Sequence, residues 1–375
     1  MTGRDCIVAV LSGRAPDRIP AVWRLDKWHS ARAHAGDMPA ELAGMSLEQV
    51  EDHLGLGRSA RAGKVFRTVL RSPVTRTENR RGDTIVTEYH TPAGTLRRVC
   101  RYAPGDEAAG LSPGVVEYPI RDLEHYAAFE QIARHTEYVP TYDAFLDYDR
   151  SIGGAGLPLL ILGPNPIHEL LMNWTGYETG YLHLADGPDA FLSAARAADE
   201  ARRRMWPIVA ASPARFVMHG VNFDTGMTPP PVFREHFLPY LRTFNDLMHE
   251  SGKWTACHAD GDMTALLALT VEAGYDAADC FACAPLVRCT FAQAREAWKD
   301  HITIWGGLPS TLLEPTVPLH RLREHLESIY AGLGDGRRFM IGLSDQAMPT
   351  SSWEHIKAAA EFARCHSTCT RSPST

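Results

Sequence analysis

The chain has 375 residues, 45% of them hydrophobic and 22% charged, with a formal net charge of -7. That balance describes an ordinary soluble globular protein, long enough for one large α/β barrel or two smaller domains, and excludes a disordered or membrane-embedded chain. Its mild acidity excludes a broad nucleic-acid footprint, since the one basic cluster, Arg202-Arg203-Arg204, falls inside a predicted helix as a solvated face.

The opening M-T-G-R-D-C-I-V-A-V-L-S-G-R carries an apolar run of about six residues, too short for a signal peptide or a membrane span. A cytoplasmic protein with no membrane partner is expected. Eight cysteines, at 6, 100, 257, 280, 283, 289, 365 and 369, are too sparse for a disulfide scaffold and read as thiols, either core residues or ligands.

Arg18–Trp23 (R-I-P-A-V-W) reads as a first strand, followed by a loop-rich stretch and a helix ending at Leu54-Gly55. Lys64–Tyr102 holds three β-rich runs separated by R-R-G-D and T-P-A-G, turn chemistry that suits an antiparallel meander inserted at about 64–102. From Leu157 onward short β-rich runs alternate with longer amphipathic stretches, the pattern of a parallel sheet with helical crossovers. The expected strands are Leu157–Leu162, Arg215–His219, Lys253–His258, Ala277–Phe281, Ile302–Trp305 and Phe339–Gly342. The expected helices are 167–184, 188–211, 231–251, 262–273, 290–299, 318–333 and 351–364. Pro188-Asp189 and Pro230-Pro231 are start signals, and Gly252, Gly274 and Gly334 stop signals. With no linker in view, the expectation is a single domain over 1–375 whose small, polar tail, 366–375, frays. No GxGxxG follows an early strand and no GxxxxGK[ST] occurs, so a (β/α)8 TIM barrel is preferred to a doubly wound sheet, and its βα loops would share one rim.

W-T-A-C-H-A-D-G places His258 and Asp260 two residues apart at a strand end, where both side chains leave one face. A neutral imidazole and a carboxylate are good zinc ligands, and an open zinc site needs about three protein donors. The plainer alternative is a histidine hydrogen-bonded to an aspartate at a helix N-cap. In the next strand, Y-D-A-A-D-C-F-A-C-A-P, the carboxylate of Asp279 is costly unless it meets a cation or donors. The same segment contains the CxxC pair Cys280 and Cys283. Structural zinc sites normally pair two such hooks and only one occurs, so Cys280 reads equally as a small apolar core residue. H-G-V-N-F-D-T-G offers Asn222 and Asp224, which are also common loop residues. L-S-D-Q-A-M-P adds Ser344 and Asp345 to the expected rim. Trp23 and Trp28, with Arg24 between them, are candidates to wall a pocket, although tryptophan in a strand is more often core. No GxSxG, HExxH or Ser–His–Asp order is present.

Taken in order, R-I-P-A-V-W, Y-H-T-P-A-G-T-L, M-T-P-P-P-V-F-R-E-H-F-L-P-Y, H-A-D-G, I-W-G-G-L-P and F-M-I-G-L-S-D-Q-A-M-P followed by W-E-H-I resemble the uroporphyrinogen decarboxylase superfamily over nearly the full length. Within it the chain looks like the branch of corrinoid-dependent methyltransferases. The basic RQAGR-like segment of true decarboxylases is replaced by W-R-L-D-K-W-H-S, so the resemblance does not imply a porphyrinogen substrate. Thiol-activating relatives bind zinc through an HxC motif and a later cysteine; here Asp260 stands for the first cysteine and Ser344 stands about where the second would be. The resemblance therefore implies an O-demethylase-like methyltransferase, moving a methyl group from a small, aromatic methyl ether or a methylamine to a corrinoid (cobalamin). The DxHxxG signature of corrinoid-binding domains is absent, so the corrinoid is expected on a separate partner protein. Zinc is the implied metal, with His258, Asp260, Asp279 and Cys283 as its candidate ligands. His258, Asp260, Asp279 and Asp224 are the implied catalytic groups, and Trp23, Arg24, Trp28, Asn222 and Trp305 the substrate contacts. A homodimer is compatible with the resemblance. Two other readings stand beside it. One is a metal-free lyase decarboxylating a small carboxylate, with His and Asp as acid and base and Arg24 as anion clamp. The other is a non-catalytic barrel binding a corrinoid or tetrapyrrole, against which the acidic rim counts.

Overall fold

The structure, a computed structural model, describes residues 1–367. Most of the tail expected to fray, 366–375, lies outside the described residues. The chain forms two compact units, one built from Met1–Gly63, Leu146–Leu162 and the chain from Ala214 onward, the other from Lys64–Phe145 and Gly163–Pro213.

The second unit carries six strands: β1 (Phe66–Leu70), β2 (Thr75–Arg81), β3 (Thr84–Thr91), β4 (Gly94–Arg101), β5 (Gly114–Glu117) and β6 (Thr136–Pro140). Strands β2 to β5 form one antiparallel sheet in sequence order, with Gly82 at φ 62° and Gly94 at φ 130° in the tight turns that R-R-G-D and T-P-A-G announce. The first of the three β-rich runs lies outside this meander. It pairs antiparallel with β6 instead, and Ser72-Pro73, where proline has no N–H to give a ladder, separates it from β2. The two helices expected at 167–184 and 188–211 are each interrupted. Gly176, at φ 74°, ends a π-turn over Leu170–Thr175 ahead of the helix Tyr177–Asp186. The second helix stops at Arg203 and restarts at Trp206, where Pro207 has no N–H to continue the hydrogen bonding of the preceding turn.

The first unit holds a six-stranded parallel sheet in sequence order: β7 (Leu159–Ile161), β8 (Phe216–Met218), β9 (Trp254–His258), β10 (Ala277–Phe281), β11 (Thr303–Pro309) and β12 (Phe339–Ser344). All six expected strands are present. Strand β11 runs further than its apolar stretch suggests because Gly306 and Gly307 continue it; a Cβ on Gly306 would lie 2.4 Å from the Phe281 nitrogen, so only glycine passes there. Beyond β12 the hydrogen bonding continues through residues 20–22, where Val22 N–H donates to the Ile341 carbonyl at 3.0 Å. It passes to residues 57–60 by Gly57 N–H to the Ala21 carbonyl at 2.8 Å, and returns to β7 by Leu159 N–H to the Ala60 carbonyl at 2.9 Å.

One face of this sheet buries Leu159, Phe216, Met218, Ala256, Ala277, Trp305 and Met340 in a common apolar cluster. Helix α1 (Gly3–Leu11), started by a Thr2/Asp5 capping box, adds Ile7, Val10 and Leu11 to that cluster. It meets the N-terminal ends of the strands, since Thr303 Oγ1 donates to the Val10 carbonyl at 3.0 Å and Arg338 to the Leu11 carbonyl at 2.7 Å. The C-terminal ends are left for chemistry. Helix α2 (Asp26–Ala35) occupies the stretch read as loop-rich; α3 (Leu47–Leu54) is the helix expected after it and ends at Gly55, in the left-handed conformation. The helix expected at 231–251 widens into a π-turn at Phe233–Phe237, because Pro239 has no N–H to give to the preceding turn.

Candidate functional site

The parallel register sets His258 of β9 and Trp305 of β11 on either side of Asp279 of β10. All three project on the face that carries Ala256 and Ala277 two residues earlier, at the C-terminal ends of the strands. His258 Nδ1–H donates to Asp279 Oδ2 at 2.9 Å, and Arg61 grips both Asp279 oxygens, with one of the two contacts at 2.9 Å. The Arg61 guanidinium lies 4.8 Å from the centroid of the Trp305 ring, a cation–π contact. Asp279 is 0% exposed, so its charge depends on this pairing.

The other imidazole nitrogen faces acids. His258 Nε2 is 3.4 Å from Asp260 Oδ2 and 3.8 Å from Asp345 Oδ1, and Asp345 is ion-paired with Arg24. Cys280 joins the same cluster: its Sγ lies 3.8 Å from Arg61, and its thiol donates to the Asp345 carbonyl at 3.3 Å. Neighbours on a strand ordinarily point to opposite faces. Here the register against β11 slips between Asp279 and Phe281, and Cys280 sits at φ 55°, so a bulge brings residues 279 and 280 into one site. Asn222 (φ 51°) and Asp345 (φ 68°) also hold left-handed backbone at strand ends.

These charges set one another. Burial pushes against an ionised Asp279, but the Arg61 guanidinium and the His258 hydrogen bond outweigh it and hold the carboxyl well below the usual range. Burial likewise disfavours a charged His258, yet Cys280 and the Asp260 and Asp279 carboxylates raise its pKa well above the ordinary value. Asp260 is lowered, since the hydrogen bond and charge of His258 overcome its own desolvation.

Other sequence candidates lie differently. Cys283 is buried away from the cluster, its thiol donating to the Gly307 carbonyl at 3.4 Å, and burial pushes its pKa to about 12. Asp224 orders its own loop: Oδ1 accepts from Gly226 N–H at 2.8 Å and Oδ2 from Asp262 N–H at 2.7 Å. Asn222 is exposed beside it. Trp28 is core, stacked on Trp353 at 5.7 Å, its Nε1–H donating to the Ser351 carbonyl. Ser344 donates to the Phe281 carbonyl at 3.1 Å and so braces the bulge.

Trp23, Arg24 and Arg61 line a cleft of about 840 Å³ together with Glu51, Arg58 and Tyr148. Trp23 Nε1 and Arg24 Nε are buried there without a hydrogen-bond partner, and so is Gln346 Oε1 beside Asp345. Unsatisfied buried polar atoms gathered at one place point to a bound group. The adjoining His258 Nε2, Cys280 Sγ and an Asp345 carboxylate oxygen lie within 4.8 Å of one another, a nitrogen, sulfur and oxygen set that suits zinc. Arg61 was missed as a site residue in the sequence, and Cys280 was weighed there only as half of a CxxC hook or a core residue, with Cys283 preferred as the ligand. Arg61 lies in the short segment following Gly55, with no apolar run to mark a strand, and Cys280 is delivered by a bulge.

Residues 209–366 match the family model described as Uroporphyrinogen decarboxylase (URO-D). Over that stretch the chain is similar to the uroporphyrinogen decarboxylase family, in line with the resemblance its motifs carry. The matched stretch contains His258, Asp260, Asp279, Cys280 and Asp345, while Trp23, Arg24 and Arg61 come from the chain before it. Among solved structures the chain is similar to a methyltransferase from Methanosarcina mazei, at 12% identity, covering 97% of this chain and 98% of that one with a TM-score of 0.56. At that identity the likeness is one of fold. An octameric ribulose-1,5-bisphosphate carboxylase/oxygenase from Pyrococcus horikoshii aligns over 64% of this chain and 48% of that one at 12% identity, with a TM-score of 0.27, too low to bear on the fold. No curated protein matches the chain in sequence. Among the described residues no helix is long and apolar enough to cross a membrane.

Proposed function

We propose that this uroporphyrinogen decarboxylase-type chain is a methyltransferase. It takes a methyl group from a small, aromatic methyl ether or a methylamine and passes it to a corrinoid carried by a separate protein. The observation that carries the reading is the convergence of His258, Asp260, Cys280 and Asp345 at the C-terminal ends of β9, β10 and β12, beside a cleft with unsatisfied buried donors. The hydrogen bonds through residues 20–22 and 57–60 support a (β/α)8 barrel, whose C-terminal rim is where barrel enzymes keep their chemistry.

Demethylation of an ether or amine leaves charge on the departing heteroatom, so the site must put a proton or a cation there. The donor set fits a divalent metal; when bound, such an ion supplies Lewis-acid stabilisation of the leaving oxygen or nitrogen. Asp279 accepts the His258 Nδ1–H and thereby fixes which imidazole nitrogen faces the cleft. Arg61 keeps Asp279 ionised for that task, and Trp305 supports Arg61 from below. Without metal, the raised pKa keeps a proton on His258 Nε2, and His258 is then itself the acid. Trp23 supplies an aromatic wall and a free indole N–H to the cleft. The metal-free lyase reading is less well supported, because Arg24, its anion clamp, is already paired with Asp345.

The test is spectrophotometric. Purified protein is mixed with methoxylated phenols or methylamines and reduced cobalamin, and formation of methylcobalamin is followed with and without added zinc. Turnover that falls at least about a hundredfold in His258→Ala supports the reading. No methyl transfer across the substrate panel, together with carbon dioxide release from small carboxylates, would favour the lyase.

A further inference from the structure

We infer that Cys280 supplies the sulfur ligand of a divalent transition-metal site completed by His258 Nε2 and the Asp345 carboxylate. Asp279 and Cys283, two ligands implied by the family resemblance, lie outside that coordination shell. The inference rests on the metal half of the proposal above and not on the substrate.

Donor availability decides among the candidates. Asp279 is fully buried with both oxygens engaged, by Arg61 on one side and by Arg61 and His258 Nδ1–H on the other. It has the place of the carboxylate that orients a metal-bound histidine through its far nitrogen. Cys283 faces Gly307 and a separate cavity lined by Phe291 and His325. Cys280 alone among the cysteines of the described residues has its Sγ grouped with a histidine nitrogen and a carboxylate, all within 4.8 Å. Zinc bonds of about 2.0–2.3 Å place donors roughly 3–4 Å apart, so closing the shell needs side-chain movements of about 1 Å.

As a thiol, Cys280 donates to the Asp345 carbonyl at 3.3 Å and its sulfur accepts from Arg61 at 3.8 Å. The sulfur that the H-A-D-G segment lacks at position 260 thus arrives from the next strand.

Cobalt(II) titration reads this without any turnover. Cobalt bound to thiolate gives an intense near-ultraviolet charge-transfer band that cobalt bound to nitrogen and oxygen alone lacks. The expected result is one equivalent of cobalt with that band in the full-length protein, retained in Cys283→Ala and lost in Cys280→Ala. Cobalt affinity in Cys280→Ala should also fall by at least the roughly tenfold to hundredfold that follows loss of an outer-shell partner. Circular dichroism confirms that each variant is folded, and Cys280→Ser gives a second reading if alanine is not. Bound cobalt with no such band, or a band that survives in the folded Cys280 variants, overturns the assignment. Failure to bind cobalt at all overturns the metal site while leaving methyl transfer to its own assay.

Discussion

Asp279→Leu removes a fully buried carboxylate and strands the guanidinium that held it. The Arg61 side chain is only 13% exposed, so water cannot take over from the lost carboxylate. Breaking a buried pair from one side costs about 3–5 kcal/mol, most of it the penalty for the unpaired charge. Arg61→Met strands Asp279 in the same way and should cost a similar amount. In the double variant no charge is left unpaired, and the remaining loss is the partner of His258 Nδ1–H, about 1–3 kcal/mol for an unsatisfied buried donor. The double variant should therefore be more stable than either single one. Urea unfolding followed by tryptophan fluorescence at pH 7 measures all four proteins and gives the coupling directly. Additive losses, or a single-variant cost under about 1 kcal/mol, would refute the pairing as described.

Three further outcomes follow from the same geometry. Burial raises the Glu51 pKa from 4.5 to about 7 against the opposing pull of Arg58, so its ionisation opposes folding increasingly as pH rises from about 4.5 to 7. Between those pH values the ionisation costs on the order of 3 kcal/mol of stability; Glu51→Gln should remove this part of the pH dependence, and an unchanged profile would contradict it. Gly306→Ala forces a Cβ to within 2.4 Å of the Phe281 nitrogen at φ 155°, so it should destabilise by about 3 kcal/mol or more, whereas Gly82→Ala, in open space at φ 62°, should cost about 1. Equal unfolding midpoints for the two would count against the bulge geometry. Burial pushes Cys257 and Cys283 up to about 12 each, so neither should react with iodoacetamide at pH 8 in the native protein, while exposed Cys365 should. Peptide mass spectrometry shows which thiols are modified, and rapid native alkylation of Cys283 would place it wrongly.

The parallel sheet was legible because each strand is an apolar run bounded by turn residues, and the site's centre was legible because polar residues end those runs. His258 and Asp279 meet as their spacing suggests. What periodicity could not show is where alternation fails. Cys280 reads as outward-facing on a regular strand, and only the slip against β11 turns it toward His258. Segment 20–22 was read as a strand, but segment 57–60 contributes a bridge with no apolar run of its own, so Arg61 carried no local signal. Trp28 shows the opposite error: adjacency to Arg24 suggested a pocket, but α2 turns its ring inward onto Trp353. The meander was placed one run too early because β1 looks like its neighbours and finds its partner at β6, far along the chain.

The metal site proposed at the strand ends joins His258, Cys280 and Asp345. An anomalous-difference map from zinc-loaded crystals, with data collected on both sides of the zinc edge, tests it most directly. One strong peak is expected, bounded by His258 Nε2, Cys280 Sγ and the Asp345 carboxylate, with Asp279 beyond it on His258 Nδ1. A peak at Cys283, or none at the cluster in crystals that contain bound zinc, would contradict it.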